Sequence, residues 1–192
     1  MKRIAFLVLF AGFAFAPIAN AQDHAEVGAF VDYFRLGETT TNFVGLGGRA
    51  GVNVGRHVQL EAEMAYDFNR AFTEGFTDTS TGTITTQSSN IRVLHGLFGP
   101  KFQTAGPVRF FVTVKGGFAN FRFDPTPASF STFSSSVNNL RNNNVDGAFY
   151  PGGGLEAFLG PIGLRLEVGD EVIFANGAHS NWKVTFGPQL RF

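Results

Sequence analysis

From Asn181 to the C-terminal Phe192, apolar and polar residues alternate without interruption. One set is Trp182, Val184, Phe186, Pro188, Leu190 and Phe192; the other is Asn181, Lys183, Thr185, Gly187, Gln189 and Arg191. A two-residue period held over about a dozen residues is the signature of a β-strand, because successive side chains point to opposite faces of a sheet. Such a strand has one greasy and one polar face. Any fold that contains it must give each face its own environment.

The other end of the chain decides which compartment that is. Lys2 and Arg3 form a positive n-region, Ile4 to Ala16 is an apolar stretch, and Ala19-Asn20-Ala21 is an A-x-A cleavage site. Residues 1–21 therefore read as a secretory signal peptide, with cleavage between Ala21 and Gln22 and one domain over residues 22–192. Interrupted at Pro17, the apolar stretch is short for a helical anchor. The chain has no cysteine, hence no thiol for a lipoprotein's lipid and no disulfide in an oxidising compartment. Fifteen basic and fifteen acidic residues give zero formal charge, which argues against a nucleic-acid partner. Past the signal no apolar run approaches the roughly 20 residues of a helical span. What does abound is Phe and Gly, 24 of each: Phe favours strands, and Gly suits tight turns and crowded backbone. An exported chain of aromatic-rich strands can still cross a membrane as a closed barrel.

Eight such strands are legible. The first lies near Ala25–Leu36, the second spans Phe43–Val54, the third His57–Phe68 and the fourth lies near Ile91–Phe102. The fifth covers Val108–Phe123, the sixth Val145–Leu159, the seventh Ile162–Phe174, and the C-terminal strand is the eighth. In the third, Val58, Leu60, Ala62, Met64, Tyr66 and Phe68 oppose Gln59, Glu61, Glu63 and Asp67; in the fifth, Phe110, Val112, Val114 and Phe118 oppose Arg109, Thr113 and Lys115. The fourth is the least regular. Its Phe98-Gly99-Pro100-Lys101-Phe102 echoes Phe186-Gly187-Pro188-Gln189-Leu190, which puts His95 and Lys101 on the polar face. Connections after strands two, four and six are tight, at Val54-Gly55-Arg56, Thr104-Ala105-Gly106-Pro107 and Gly160-Pro161. Those near Asn69–Asn90 and Asp124–Asn144 run to about 20 residues, rich in Thr, Ser and Asn, and read as mobile polar loops. A meander with short turns at one end and longer loops at the other is the plan of an outer-membrane barrel.

Period two alone does not say which face looks outward: a soluble lipocalin-like binder would put the apolar set inside, around a ligand. Three features favour the inverse. Phe192 completes the apolar set at the C-terminus; the polar set mixes charges with Gly, which suits a narrow lumen; and Tyr66, Phe68, Trp182 and Phe192 fall near strand ends, where interfacial girdles sit. The ending also resembles the assembly signal of bacterial outer-membrane barrels, with Thr185, Gly187, Leu190 and Phe192 in the polar, glycine, third-last and last places. Taken together, export signal, eight strands, loop asymmetry and terminal Phe192 resemble the OmpA/OmpX-type outer-membrane β-barrel domain. That resemblance covers the mature chain by pattern, without a peptidoglycan-binding domain after the barrel. It implies an all-β fold, an eight-stranded antiparallel up-and-down transmembrane β-barrel in the outer membrane of a diderm bacterium. The implied partners are outer-membrane lipid and lipopolysaccharide, and the barrel-assembly machinery through the last strand. The expected state is a monomer.

Candidate chemistry is confined to the polar face. It carries Arg49, Glu61, Glu63, Arg109, Lys115, Glu156, Arg165, Glu167, Lys183 and Arg191. Eight strands enclose a space just wide enough to be filled by side chains, so opposite charges there should pair and close the lumen. A narrow pore gated by exchange of ion-pair partners is the alternative. Catalysis has one candidate, the His179-Ser180 pair, since some barrels of this size modify lipid A; adjacent residues of an extended chain point apart, which spoils a proton relay. His24, His57 and His95 are scattered without metal-ligand spacing, and Gly152-Gly153-Gly154 precedes strand rather than helix. No cofactor, metal or catalytic residue is expected. The role implied is non-enzymatic, in envelope integrity or surface interaction through the external loops. A lipocalin-like binder and, third, a lipid A-modifying enzyme are the alternatives.

Overall fold

Alternation becomes strand wherever the sequence carries it. In the computed structural model, which describes residues 24–37, 41–77, 84–124, 145–175 and 177–192, the elements are β1 (Ala25–Leu36), β2 (Thr41–Gly55), β3 (Val58–Thr77), β4 (Ile84–Gln103), β5 (Val108–Asp124), β6 (Val145–Leu159), β7 (Ile162–Asp170), β8 (Val172–Phe174), β9 (Ala178–His179) and β10 (Trp182–Arg191). From β1 to β7 each strand pairs antiparallel with the next, and β10 pairs with both β7 and β1, so the sheet closes on itself. β7 and β8 are one stave interrupted at Glu171, both pairing with β6, and β9 is a two-residue addition to β8. The result is a closed eight-stave antiparallel barrel. Signal-peptide residues Ala19, Ala21 and Gln22 lie outside the described residues, as does the connection 125–144.

Register fixes how far the staves are staggered. Followed through paired residues, Asp32 leads by Gly45, Asp67 and Val93 to Phe121 on β5. In the other direction it leads by Thr185, Glu167 and Gly154 to Phe111. The two paths meet the same strand ten residues apart, and that stagger obliges the strands to tilt. The turns from β2 to β3, β4 to β5 and β6 to β7, two to four residues each, gather at one end, and Gly160 in the last has a φ of 64° that a side chain would disfavour. The opposite end carries the longer connections.

One of those connections is not a loop for most of its length. The stretch read as a polar loop from Asn69 continues as β3 to Thr77, β4 begins at Ile84, and the two pair from Ala71–Asn90 to Thr77–Ile84. A search for amphipathic alternation misses a hairpin that stands beyond the apolar band and needs no greasy face; its Thr and Ile residues favour strand by themselves.

Exposure gives the orientation. Val112 and Leu166 are 60% and 44% exposed while Thr113 and Thr185 are each 1% exposed. The apolar parity forms the outer wall, with Leu46, Met64, Phe98, Phe110 and Phe186 on it and Tyr66, Phe68, Trp182 and Phe192 toward the strand ends. A soluble ligand binder needs the reverse.

Two Gly-Pro steps interrupt the ladders. Between β1 and β10 the paired residues jump from Gly28–Gln189 to Val31–Phe186, across Gly187-Pro188; between β4 and β5 they jump from Phe98–Gly116 to Lys101–Thr113, across Gly99-Pro100. Proline has no N–H to donate. At each step a Cβ on the glycine would collide with a carbonyl oxygen of the next strand, Ala29 for Gly187 and Val114 for Gly99.

Candidate functional site: the closed lumen

The inward parity builds a charged column in layers. Nearest the tight turns, Glu26 of β1 accepts from Lys101 Nζ of β4 at 3.2 Å and Arg109 Nη1 of β5 at 3.0 Å, while Lys101 also donates to Glu156 Oε1 of β6 at 2.6 Å. In the middle, the Arg165 guanidinium of β7 forks onto both carboxylate oxygens of Glu61 and reaches Glu167, with Glu156 at 3.2 Å. Lys115 Nζ sits among Glu61, Glu63 and Glu167 at 2.7, 2.6 and 3.0 Å. Arg49 joins Glu167 to Thr185 Oγ1, both at 2.8 Å. Above this, Lys183 lies 3.2 Å from Glu63, 3.3 Å from Glu171 and 3.6 Å from Asp32. His95 bridges Asp67 at 2.8 Å and Glu171 at 2.6 Å through its two ring nitrogens.

Aromatic rings fill what the ions leave. Arg49 lies over Phe30 and Arg165 over Phe111, at 4.3 and 4.2 Å from the ring centres, contacts that favour a desolvated guanidinium. Tyr150 crosses the bore, and glycines make room for it: a Cβ at Gly152 or Gly169 would strike its ring. This is the crowding that the Gly152-Gly153-Gly154 run permits in β6.

Toward the long-loop end the interior stops being polar. Phe34, Leu36, Phe43, Ile91, Val93, Phe121 and Ile173 pack as a buried apolar cluster inside the barrel, and the Phe34 ring meets His95 edge-on at 4.6 Å. The sequence reading of a polar lumen is corrected here. Strands this long put inward residues beyond the ion column, and a stack of apolar side chains seals that stretch without adding charges to neutralise.

Of the ten charged residues singled out from sequence, nine enter the buried column: Arg49, Glu61, Glu63, Arg109, Lys115, Glu156, Arg165, Glu167 and Lys183. Arg191 is placed at the turn-end mouth, half-buried, where its Nε donates to the Gly160 carbonyl at 2.9 Å and its guanidinium lies over Phe158. Glu26, Asp32, Asp67, His95, Lys101 and Glu171, beyond those ten, are buried in the same column. Asp67, His95 and Lys101 lie on the polar parity that the sequence shows. Glu26 and Asp32 share the inner face of β1 with Phe30 and Phe34, which blurs its parity, and Glu171 stands at the break between β7 and β8. Among the described residues eight buried carboxylates thus face six buried lysines and arginines plus His95.

Chemically this column holds side chains in place. Glu61, Glu63 and Glu167 converge closely enough to ligate a cation, but Lys115 and the arginines occupy the space between them. Asp32, Asp67 and His95 converge likewise, under Lys183. His179 and Ser180 turn apart: His179 Nε2 faces the Ala175 carbonyl at 3.0 Å, and Ser180 Oγ donates to Asp170 at 2.7 and 2.8 Å. At the C-terminus Thr185 and Gly187 face inward, Leu190 and Phe192 outward, and the Phe192 carbonyl accepts from the backbone of His24 and Ala25.

No family model matches the chain, and no curated protein matches it. Solved structures do. Neisserial surface protein A is 8% identical, with 88% of this chain and 96% of that one covered and a TM-score of 0.59. Outer membrane protein OprG from Pseudomonas aeruginosa is 9% identical over 88% and 96%, at 0.55. The N-terminal β-barrel domain of Pseudomonas aeruginosa OprF is 13% identical over 89% and 98%, at 0.51. Closed staves, an apolar outer wall, an ion-filled bore and these likenesses lead to one conclusion: the chain has the fold of the eight-stranded outer-membrane β-barrels.

Proposed function

We propose that this chain is a non-enzymatic outer-membrane protein of a diderm bacterium, monomeric, with a lumen closed to solutes. It acts in envelope integrity or surface interaction through the external end of the barrel. The observation that carries the reading is the column from Glu26 to Lys183, sealed above by the Phe34–Phe43–Phe121 cluster, inside a wall whose outer face is apolar. A bore packed with paired charges and rings leaves little room for a continuous water path, and most of its ions are held by neighbours of opposite charge. Export through the signal over residues 1–21 and delivery by the assembly machinery through Thr185, Gly187, Leu190 and Phe192 complete the reading. External contacts fall to the β3–β4 hairpin, which extends past the apolar band, and to the segment 125–144 that joins β5 to β6 at the same end.

The test has two parts. After urea washing the protein should remain in the membrane pellet and run faster unboiled than boiled on a detergent gel. Singly inserted in planar bilayers, it should show at most brief, small openings. Release by urea would return the soluble-binder reading, and a steady large conductance would overturn the closed lumen.

A further inference from the structure

The outer wall of a membrane barrel should carry no charge at lipid depth, and two outward arginines mark where that depth ends. Arg92 of β4 and Arg122 of β5 are paired directly across the ladder, and the outward residues below them pair as Leu94–Asn120 and Gly96–Phe118. Like charges set opposite each other on one face repel. Among the described residues neither arginine meets a carboxylate, and Arg92 Nε is buried without a hydrogen-bond partner. The neighbouring Asp146 pairs with Ala119, on the inner parity of β5. Two guanidinium groups held side by side, with no carboxylate against them among the described side chains, form a site complementary to an anion.

A groove runs beneath them. Gly96 has no side chain, the Phe118 ring lies over it, and the hollow left between β3 and β5 has a volume of about 400 Å³, lined by Tyr66, Leu94, Asn120 and Phe118 below and by Arg92 and Arg122 above. Its depth can be placed. From Phe102, outward near the turn end of β4, to Arg92 is ten residues; at about 3.3 Å per residue and a tilt of about 40°, this is roughly 25 Å, the height of the apolar band of such barrels. The arginines stand at the interface on the long-loop side, and the apolar half of the groove lies just inside it.

Resting on the outer-membrane reading above, we propose that this groove binds a phosphate-bearing lipid of the outer leaflet, of the lipid A class. Arg92 and Arg122 take the phosphate as a forked, charge-assisted pair, Asn120 adds an amide, and one acyl chain lies against Leu94 and Phe118. An apolar trough opening onto paired cations is complementary to an amphiphile whose charge sits at its head.

The experiment uses the folded full-length mature protein in an alkyl-glycoside detergent free of phosphate. Each sample is first shown to be folded by its heat-dependent gel mobility. Bound lipid is read by native mass spectrometry during titration with bisphosphorylated lipid A and with the same lipid dephosphorylated. Wild type should hold the phosphorylated form at least about tenfold more tightly than the R92Q/R122Q double variant, and dephosphorylated lipid should not distinguish the two. Arg35→Gln removes an outward, exposed arginine at the same end of β1, across the barrel, and should leave affinity within about twofold. Equal affinity of folded wild type and double variant, or an equal loss in Arg35→Gln, overturns the site. Inorganic phosphate bound as tightly as the lipid overturns the assignment to a lipid. A wild type that shows no heat-dependent mobility fails at the barrel reading instead.

Discussion

Removing Arg165 tests whether the lumen is dry. Its guanidinium is 2% exposed, forks onto Glu61, reaches Glu167 and lies 3.2 Å from Glu156. Arg165→Met keeps most of the volume and leaves three carboxylates short of a cation. Breaking a buried ion pair by deleting one partner costs about 3–5 kcal/mol, since the remaining charge stays buried. Here Lys115 still touches Glu61 at 2.7 Å and Glu167 at 3.0 Å, and Lys101 still touches Glu156 at 2.6 Å. The expected cost therefore lies at the low end, about 3 kcal/mol. Adding Glu61→Gln removes one freed carboxylate, so the double variant should lose less than the sum of the singles, with a coupling of about 1 kcal/mol or more. Equilibrium urea unfolding in micelles, followed by gel mobility and by the fluorescence of Trp182, the sole tryptophan and lipid-facing, measures all four species. If Arg165→Met falls within about 0.5 kcal/mol of wild type and the two changes add, the charges are hydrated. The bore would then be a water channel, and the closed-lumen argument would be wrong.

Three further expectations follow from the same geometry. Arg at Val112 or Leu166, both lipid-facing, should cost about 2–4 kcal/mol in a bilayer, and Gln at Thr113 or Thr185 much less; quenching of cysteine-linked probes by lipid-phase quenchers at 113 and 185 but not at 112 and 166 would turn the barrel inside out. Deleting Phe192 should reduce folded protein in the outer membrane and leave precursor to periplasmic proteolysis, so wild-type levels by cell fractionation would remove the assembly role of the terminal residues. Gly187→Ala should cost about 1–3 kcal/mol by urea unfolding, because its Cβ meets the Ala29 carbonyl; a neutral result would mean that the seam yields freely.

Stave number, tight turns and sidedness were all legible in the sequence, because one face of every membrane-depth strand is uniformly apolar and the turns are short. The limits of that signal are equally physical. Past membrane depth the lipid no longer selects for grease, so the extension of β3 to Thr77 and of β4 back to Ile84 left no alternation to read. Inside the bore, aromatic residues such as Phe30, Phe34 and Phe111 serve as filler beside ions, so β1 reads as apolar on both faces and hid Glu26 and Asp32. Parity assigns a residue to the inner face; only register across several strands says which cation meets which carboxylate, as Arg165 of β7 meets Glu61 of β3, on the far side of the bore.

The two Gly-Pro steps fall on opposite walls. One lies at the β1–β10 closure and the other at the β4–β5 boundary, so they divide the cylinder into two curved shells of four staves, β1–β4 and β5–β10. Within the shells, ladders are mostly continuous; between them, each joint loses a donor at Pro188 or Pro100 and brings backbones into tight contact at Gly187 or Gly99. The two lines that lack ladder pairs thus lie on opposite sides of the cylinder. Ion pairs such as Arg165–Glu61, Lys115–Glu63 and Lys183–Glu63 cross from one shell to the other through the middle. The charged column then serves as a set of cross-ties, and the strength of the bore sets how firmly the two half-cylinders stay shut in the plane of the membrane.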